Sequence, residues 1–404
     1  MFMLAICLLN VLLWLTKIEL TYGFPKILKY ILSSGILGLV AYHGLVHRRD
    51  SKRSRHPAVV KWFIVYSIVM LVLSFRADQF YWQQFLVSRY FAVPYLLPLL
   101  ILMSRFDVQF FRTAVALSRR LLPFSMGILA YALTHSMTSV TWTDIGYGIK
   151  LFDIFSLLLL LTCHLSARRS HRFVAIGYHV MLLYSLAYYG RRGSFLLIGM
   201  SLLAMLWLRI KSKSFSPAWK FGIILITLAL VLAGNAYREQ LSGLKVFTRG
   251  MSTEGFQDSR GTVVSDFFSD FGGMQDYLFG RGINGTIKRT IRGGELGTTI
   301  ENGYLNVLLR GGLLYLAPML LIFAYSACLG YFKSNNDLSK ALALIVALQF
   351  ISMMAFGLPS YTTEYILLWI AVSAGFNKQL RVLNNRDLYL YSNFSTFRKG
   401  QLLS

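Results

Sequence analysis

The chain has 404 residues, of which 55% are hydrophobic and only 14% charged, and its mean hydropathy is +0.54. That balance excludes an ordinary soluble globular domain and reads as an integral membrane protein. The formal net charge of +24 would point to nucleic acid in a soluble protein, but here the Lys and Arg residues fall mostly in short links between apolar runs, so no nucleic-acid partner is expected.

The apolar runs are long and do not alternate, which predicts helices rather than barrel strands; roughly 17 to 25 such residues cross a bilayer core. In chain order the predicted spans are 1–16, 27–46, 58–75, 90–104, 121–134, 149–166, 172–188, 194–210, 219–235, 302–325, 339–357 and 365–377. About twelve transmembrane helices follow: nine within 1–235, a large outer loop at 236–301, three more within 302–377, and a tail at 378–404. The first run lacks a basic leader and a small-residue cleavage site, so it is expected to be retained as a span. Cys7, Cys163 and Cys328 lie singly in apolar runs with no paired spacing, as membrane-packing residues do.

Orientation follows from the links. The run HRRDSKRSRH (His47 to His56), the link with Arg112, Arg119 and Arg120, the run ARRSHR (Ala167 to Arg172), Lys211 to Lys220, and the tail all fall on one side of a twelve-span count. By the positive-inside rule that side is the cytoplasm, and both termini are cytoplasmic. The loop on the opposite face is balanced, with eight basic and eight acidic residues between Ala236 and Glu301, and is expected to fold as short amphipathic helices over the bundle.

Against that bias, YYGRRGS (Tyr188 to Ser194) places Arg191 and Arg192 on the outer side. They either snorkel to lipid phosphates or bind a diphosphate, whose oxygens match the planar guanidinium fork. In the loop, Arg260 opens DSRGTVVSDFFSDFG, whose Val263, Val264, Phe267, Phe268 and Phe271 recur at helical spacing and would pin it at the membrane surface. The other loop arginines, Arg281 among them, are expected to be solvated or paired with the loop's own acids. The run GRGING (Gly280 to Gly285) fits a dinucleotide fingerprint in letters only, because no strand precedes it.

ENGYLNVLLRGG (Glu301 to Gly312) opens the next helix. Asn302, Asn306 and Arg310 are spaced four apart and share one face, which puts Arg310 two turns below the surface. A charge at that depth costs on the order of 2.5 to 3.5 kcal/mol, so a polar groove is implied. Gly311 and Gly312 read as close-packing positions. Glu301 suits a helix N-terminus, and it also suits a general base at the membrane surface. No metal-spaced cluster of His, Cys, Asp or Glu is present in the outer segments, and neither a metal nor another cofactor is expected.

Together these segments resemble the bacterial O-antigen polymerase and O-antigen ligase superfamily of polytopic membrane glycosyltransferases. YYGRRGSFLLIG looks like its arginine-bearing turn, SRGTVV like its R-x3-L element with Val264 at the Leu, and ENGYLNVLLRGG like its H-x10-G element with Gly312 at the Gly. Glu301 stands where the ligase pattern has histidine, which favours the polymerase. The resemblance implies a GT-C-like helical bundle in the bacterial inner membrane. It further implies transfer of undecaprenyl-diphosphate-linked oligosaccharides at the outer face, with a chain-length regulator protein as a partner. In that scheme Arg191, Arg192 and Arg310 bind the diphosphate, Arg260 and Glu301 are catalytic, and Asn302 and Asn306 line the groove. Passing the glycan to a lipid A core, as a ligase does, and carrying a lipid-linked oligosaccharide across the membrane, as a flippase does, are the alternatives.

Overall fold

A computed structural model gives the architecture over residues 2–22, 26–46, 61–68, 92–104, 106–134, 146, 149, 151–165, 169–189, 191–211, 259–289, 295–297, 300, 302–355 and 362–388. The described chain is mostly helical. Its first half supplies α1 (Phe2–Tyr22), α2 (Lys26–Val46), α3 (Ala92–Met103), α4 (Val108–Thr134), α5 (Ser156–Thr162), α6 (Arg169–Tyr188) and α7 (Arg192–Lys211). The expected loop region contains α8 (Ser259–Asp270), α9 (Met274–Phe279) and an antiparallel pair, β1 (Ile287–Arg289) with β2 (Glu295–Gly297). The chain then forms α10 (Gly303–Phe332), α11 (Asp337–Ala355), α12 (Thr363–Phe376) and α13 (Lys378–Val382).

Three of these helices contain stretches long and apolar enough to cross a membrane: Gly193–Ile210, Gly303–Phe332 and Asp337–Met354. Shorter apolar stretches occur at Phe2–Leu12, Ile31–His43, Ser156–Leu165 and Thr363–Phe376. Twelve spans are not established among the described residues, and 219–235 lies outside them.

Two elements differ from their sequence expectation. The basic link before 121–134 is itself helical, because α4 starts at Val108 and carries Arg112, Arg119 and Arg120 in its first half. Phe111 and Ala114 are buried there while Thr113 and Arg120 are exposed, so helical spacing of apolar residues prevails over the charges. The run 149–166 is interrupted: Phe155 has φ 56°, and α5 begins only after it, closing in a 3-10 turn at Cys163–Leu165. Unbroken hydropathy carries no signal of such a backbone reversal.

The core of the second half is helix on helix. In α12 all of Tyr365 to Val372 is buried, and Trp369 packs against Phe63 and Phe323, with ring centroids 5.1 and 5.2 Å apart. Between apolar helices in lipid, association rests on close packing and interhelical hydrogen bonds. Both occur where α12 meets α10: a Cβ on Gly375 would lie 2.2 Å from Ser326 Oγ, and that hydroxyl donates to the Val372 carbonyl at 2.9 Å. At the other end of the chain, the Thr363 hydroxyl donates to Asn10 Oδ1, tying α12 to α1.

The turn between α10 and α11 is stitched to the C-terminal segment. Asn336 caps α11 by accepting from the Ser339 amide at 2.8 Å and donates to the carbonyls of Leu380 and Leu383 at 2.7 and 3.0 Å. Asp337 accepts from Asn385 Nδ2 at 2.9 Å and lies 3.3 Å from His164 Nε2, which joins this end to the turn after α5.

Candidate functional site

The site is built on the first three turns of α10. Asn302 is the N-cap: its side-chain oxygen accepts from the Leu305 amide at 3.1 Å, and its amide nitrogen donates to the Met354 carbonyl at 3.4 Å. The Tyr304 hydroxyl donates to the Phe350 carbonyl at 2.6 Å, so two side chains hold the start of α10 against α11. Asn302 therefore stands at the helix mouth with both ends of its amide engaged.

One and two turns deeper come Asn306, 0% exposed, and Arg310, 3% exposed. Among the described residues neither polar atom of the Asn306 side chain has a partner, nor do Nε and Nη1 of Arg310. Burying an amide without compensation costs roughly 1 to 3 kcal/mol, and an ionised group costs more. Nearly all buried polar groups are satisfied in folded proteins; other described side chains, Trp369 and Arg381 among them, also bury an unpaired nitrogen, but Asn306 and Arg310 are the ones spaced i and i+4 on the helix opened by Asn302.

Immediately after Arg310 the helix breaks. Gly312 has φ 65° and ψ −173°, a region that only glycine occupies without strain. The carbonyl of Leu309 would serve the amide four residues on, across the break; instead it accepts from the Arg281 amide at 2.6 Å. The outer segment is seated there with no room for side chains. A Cβ on Gly280 would meet the Leu309 carbonyl at 2.7 Å, and one on Gly312 would meet the Leu278 carbonyl at 2.1 Å. The GRGING run is thus a strap across a helix break, preceded by the helix α9. Gly280 and Gly282 turn it at φ 67° and 84°.

Arg281 holds this strap together. Its Nη1 donates to Asp270 Oδ2 at 2.6 Å and to the Thr286 carbonyl at 2.8 Å, while Nε and Nη2 donate to Asp276 Oδ2 at 2.9 and 2.8 Å. Nη2 also donates to the Asp270 carbonyl, and the guanidinium carbon sits 5.2 Å from the Phe271 ring centroid. Burial pushes the Asp270 carboxyl up, but hydrogen bonds from Arg281 and the Lys288 amide, with both positive charges, hold it below its ordinary 3.8. This is the pairing with loop acids that the sequence leads one to expect of such an arginine.

The helix α8 carries Arg260 on its second residue and packs on β1. Phe267 and Phe271 are fully buried and stacked 4.5 Å apart, whereas Phe268 is half exposed, so the apolar stripe faces protein on one edge. Arg191 is exposed in the turn after α6. Its amide donates to the Leu186 carbonyl, and its own carbonyl accepts from Phe195, which starts α7. The helix α7, which follows the Arg191 turn, packs on α11, and α11 on α10. The side chains of Arg192 and Arg260, and the whole of Glu301, lie outside the described residues. Among the described residues no three His, Cys, Asp or Glu side chains gather as a metal site.

A second polar group escaped the sequence reading. The buried Tyr178 hydroxyl donates to Asp153 Oδ2 at 2.9 Å, and Ser125 Oγ donates to the Ile149 carbonyl at 3.3 Å, beside the interruption at Phe155. The available signal was the lone acid of an apolar run, since ionisable residues in such runs are costly and need partners.

No family model, curated protein or solved structure matches the chain.

Proposed function

We propose that the protein polymerises undecaprenyl-diphosphate-linked oligosaccharide repeat units into O-antigen or a related surface polysaccharide at the outer face of the bacterial inner membrane. The supporting observation is the buried pair Asn306 and Arg310, in which the Asn306 amide and Arg310 Nε and Nη1 have no partner among the described residues, on a helix whose mouth adjoins Glu301 in sequence. In this reading the twelve-span, GT-C-like topology puts that mouth and the Arg191 turn on the outer side, with both termini cytoplasmic.

The chemistry suits these residues. The anomeric carbon breaks its bond to the diphosphate oxygen, which leaves with the electron pair, and gains a bond to the acceptor hydroxyl oxygen. Glu301 takes the hydroxyl proton. Arg191, Arg192, Arg260 and Arg310 stabilise the diphosphate charge, which a low-dielectric groove makes more effective than water would. Asn306 orients an oxygen of the same group, and Asn302 holds the mouth.

The break at Gly312 and the interruption at Phe155 favour a second reading, a flippase for the same lipid-linked glycan, since interrupted helices are a device of transporters. Deleting the gene and resolving surface polysaccharide on a gel separates the two. Loss of the long ladder with a single repeat retained on its core fits the polymerase. Loss of even that repeat fits a flippase or a ligase transferring to lipid A core. A full ladder in a strain with no redundant enzyme would falsify the polymerase.

A further inference from the structure

The break at Gly312 fixes a level in the membrane. Unbroken, the 30 residues of α10 would run about 45 Å, whereas the apolar stretch of α11 beside it has 18 residues and runs about 27 Å, close to a bilayer core of roughly 30 Å. The two helices are nevertheless joined at both ends. The 333–336 turn links one pair of ends, and Asn302 and Tyr304 donate to the Met354 and Phe350 carbonyls at the other. The surplus length is therefore taken up at the break: 313–332 covers about 30 Å and matches α11, while 303–311 turns across its far end. Gly312 stands at one edge of the hydrocarbon core.

The strap is fastened at that same level. Leu278 and Phe279 press on Gly312, Gly280 lies on the Leu309 carbonyl, and α9 packs along α10. At 1.5 Å per residue Met274 is about 8 Å from Phe279, so α9 stays within roughly 10 Å of the core's edge whichever way it points. That is the depth of the interfacial layer, where amphipathic segments bury about 5 to 10 Å. The Phe271 ring lies 5.1 Å from Tyr277 and holds the end of α8 against α9. Around this junction Phe268 is 51% exposed and Met274 79%, the two exposed large apolar side chains among the described residues of 259–289. Gly272 and Gly273 separate them in an open turn, with nothing within 4 Å of either Cβ position. Asp270 and Asp276, on either side, are both bonded to Arg281, so bringing this tip to a bilayer strands neither carboxylate.

We propose that Phe268 and Met274 form a membrane tip, inserted into the interfacial layer of the leaflet on the Gly312 side, and that the partner covering this apolar surface is phospholipid. Of the α8 stripe, Phe267 and Phe271 pack into protein; Phe268 is left for lipid and is joined by Met274 from α9. The tip and the seat on α10 belong to one body braced by Arg281, so the bilayer helps to hold the strap over the turn that carries Arg310. The inference goes beyond the polymerase reading and stands without it.

The test uses the full chain reconstituted in phospholipid vesicles, with Phe268→Trp and Met274→Trp made singly. Each replaces one exposed apolar side chain by another, so neither asks anything of the packing. The chain has 7 tryptophans of its own, and subtracting the wild-type emission isolates the added one. Quenching is measured with lipid brominated near the headgroup end of its acyl chains and, separately, with aqueous iodide. Both added tryptophans are expected to lose at least about half their emission to brominated lipid and to be shielded from iodide at least about threefold relative to free tryptophan, as rings buried about 5 to 10 Å into the interface are. Quenching by iodide with no effect of brominated lipid at both positions overturns the tip. Protection from both quenchers means that protein, a second copy or another segment, covers these residues, and overturns it too. Lipid quenching at one position alone overturns the pairing of the two side chains. None of these outcomes bears on the polysaccharide ladder, so this inference and the polymerase fail separately.

Discussion

Replacing Gly312 by alanine tests the strap and the helix break together. An L-residue at φ 65° and ψ −173° carries strain of about 1 to 3 kcal/mol. The new methyl would also stand 2.1 Å from the Leu278 carbonyl oxygen, which must retreat about 1.3 Å to reach the 3.4 Å of ordinary contact. That retreat stretches the Arg281 amide off Leu309, at a further cost of roughly 0.5 to 1.5 kcal/mol. The sum, about 1.5 to 4.5 kcal/mol, corresponds for a chain of this size to a midpoint lowered by about 2 to 5 °C. The assay is thermal unfolding of detergent-solubilised protein followed by size-exclusion chromatography. Gly261→Ala is the control, since nothing lies within 4 Å of its Cβ and alanine is the better helix former in α8. A Gly312→Ala midpoint within about 1 °C of the wild type refutes the account of the seat.

Arg310→Met should stabilise the ligand-free protein by about 1 to 3 kcal/mol and, under the proposed function, abolish long-chain polysaccharide, because it removes a buried charge that has no partner at Nε or Nη1 among the described residues. A lowered unfolding midpoint in that variant means the guanidinium is structurally paired after all. Loop docking should also respond to acid in one direction. The Asp270 carboxyl is held below its ordinary value, so its contribution is complete above the unfolded pKa of about 3.9 and is lost as pH falls through the lower folded value. The midpoint difference between wild type and Asp270→Asn is therefore expected to be constant at neutral and mildly acidic pH and to shrink only below about pH 4. A difference that decays around pH 6 to 7 would assign it to another group.

Hydropathy placed several of the helices within a few residues, as at 194–210 against α7 and 365–377 against α12, because an apolar run in lipid must satisfy its backbone internally. Charge misled at α4, where Arg112, Arg119 and Arg120 do not interrupt the helix that bears them. In the candidate site, the i, i+4 spacing of Asn306 and Arg310 was legible, as was the implication of burial at depth. The seat of the strap was not. It depends on two glycine backbones meeting, Gly280 over Leu309 and Gly312 under Leu278, and pairwise proximity across thirty residues leaves no periodic trace. Asp153 and Tyr178 were missed for a related reason: each reads as an isolated polar residue until α4, α5 and α6 are packed.

The bond between Thr363 and Asn10 spans 353 residues of sequence, which makes it a statement about time. At elongation rates of about 5 to 20 residues per second, roughly 20 to 70 s separate the synthesis of Asn10 from that of its partner. Throughout that interval α1 is already made, and α12, most of whose residues are buried, does not yet exist. The first helix must then be sheltered by lipid, by α2, or by an insertion chaperone, and the bundle can close only as translation ends. Slow codons late in the message would lengthen the exposure; an early stop would leave a set of helices with no centre.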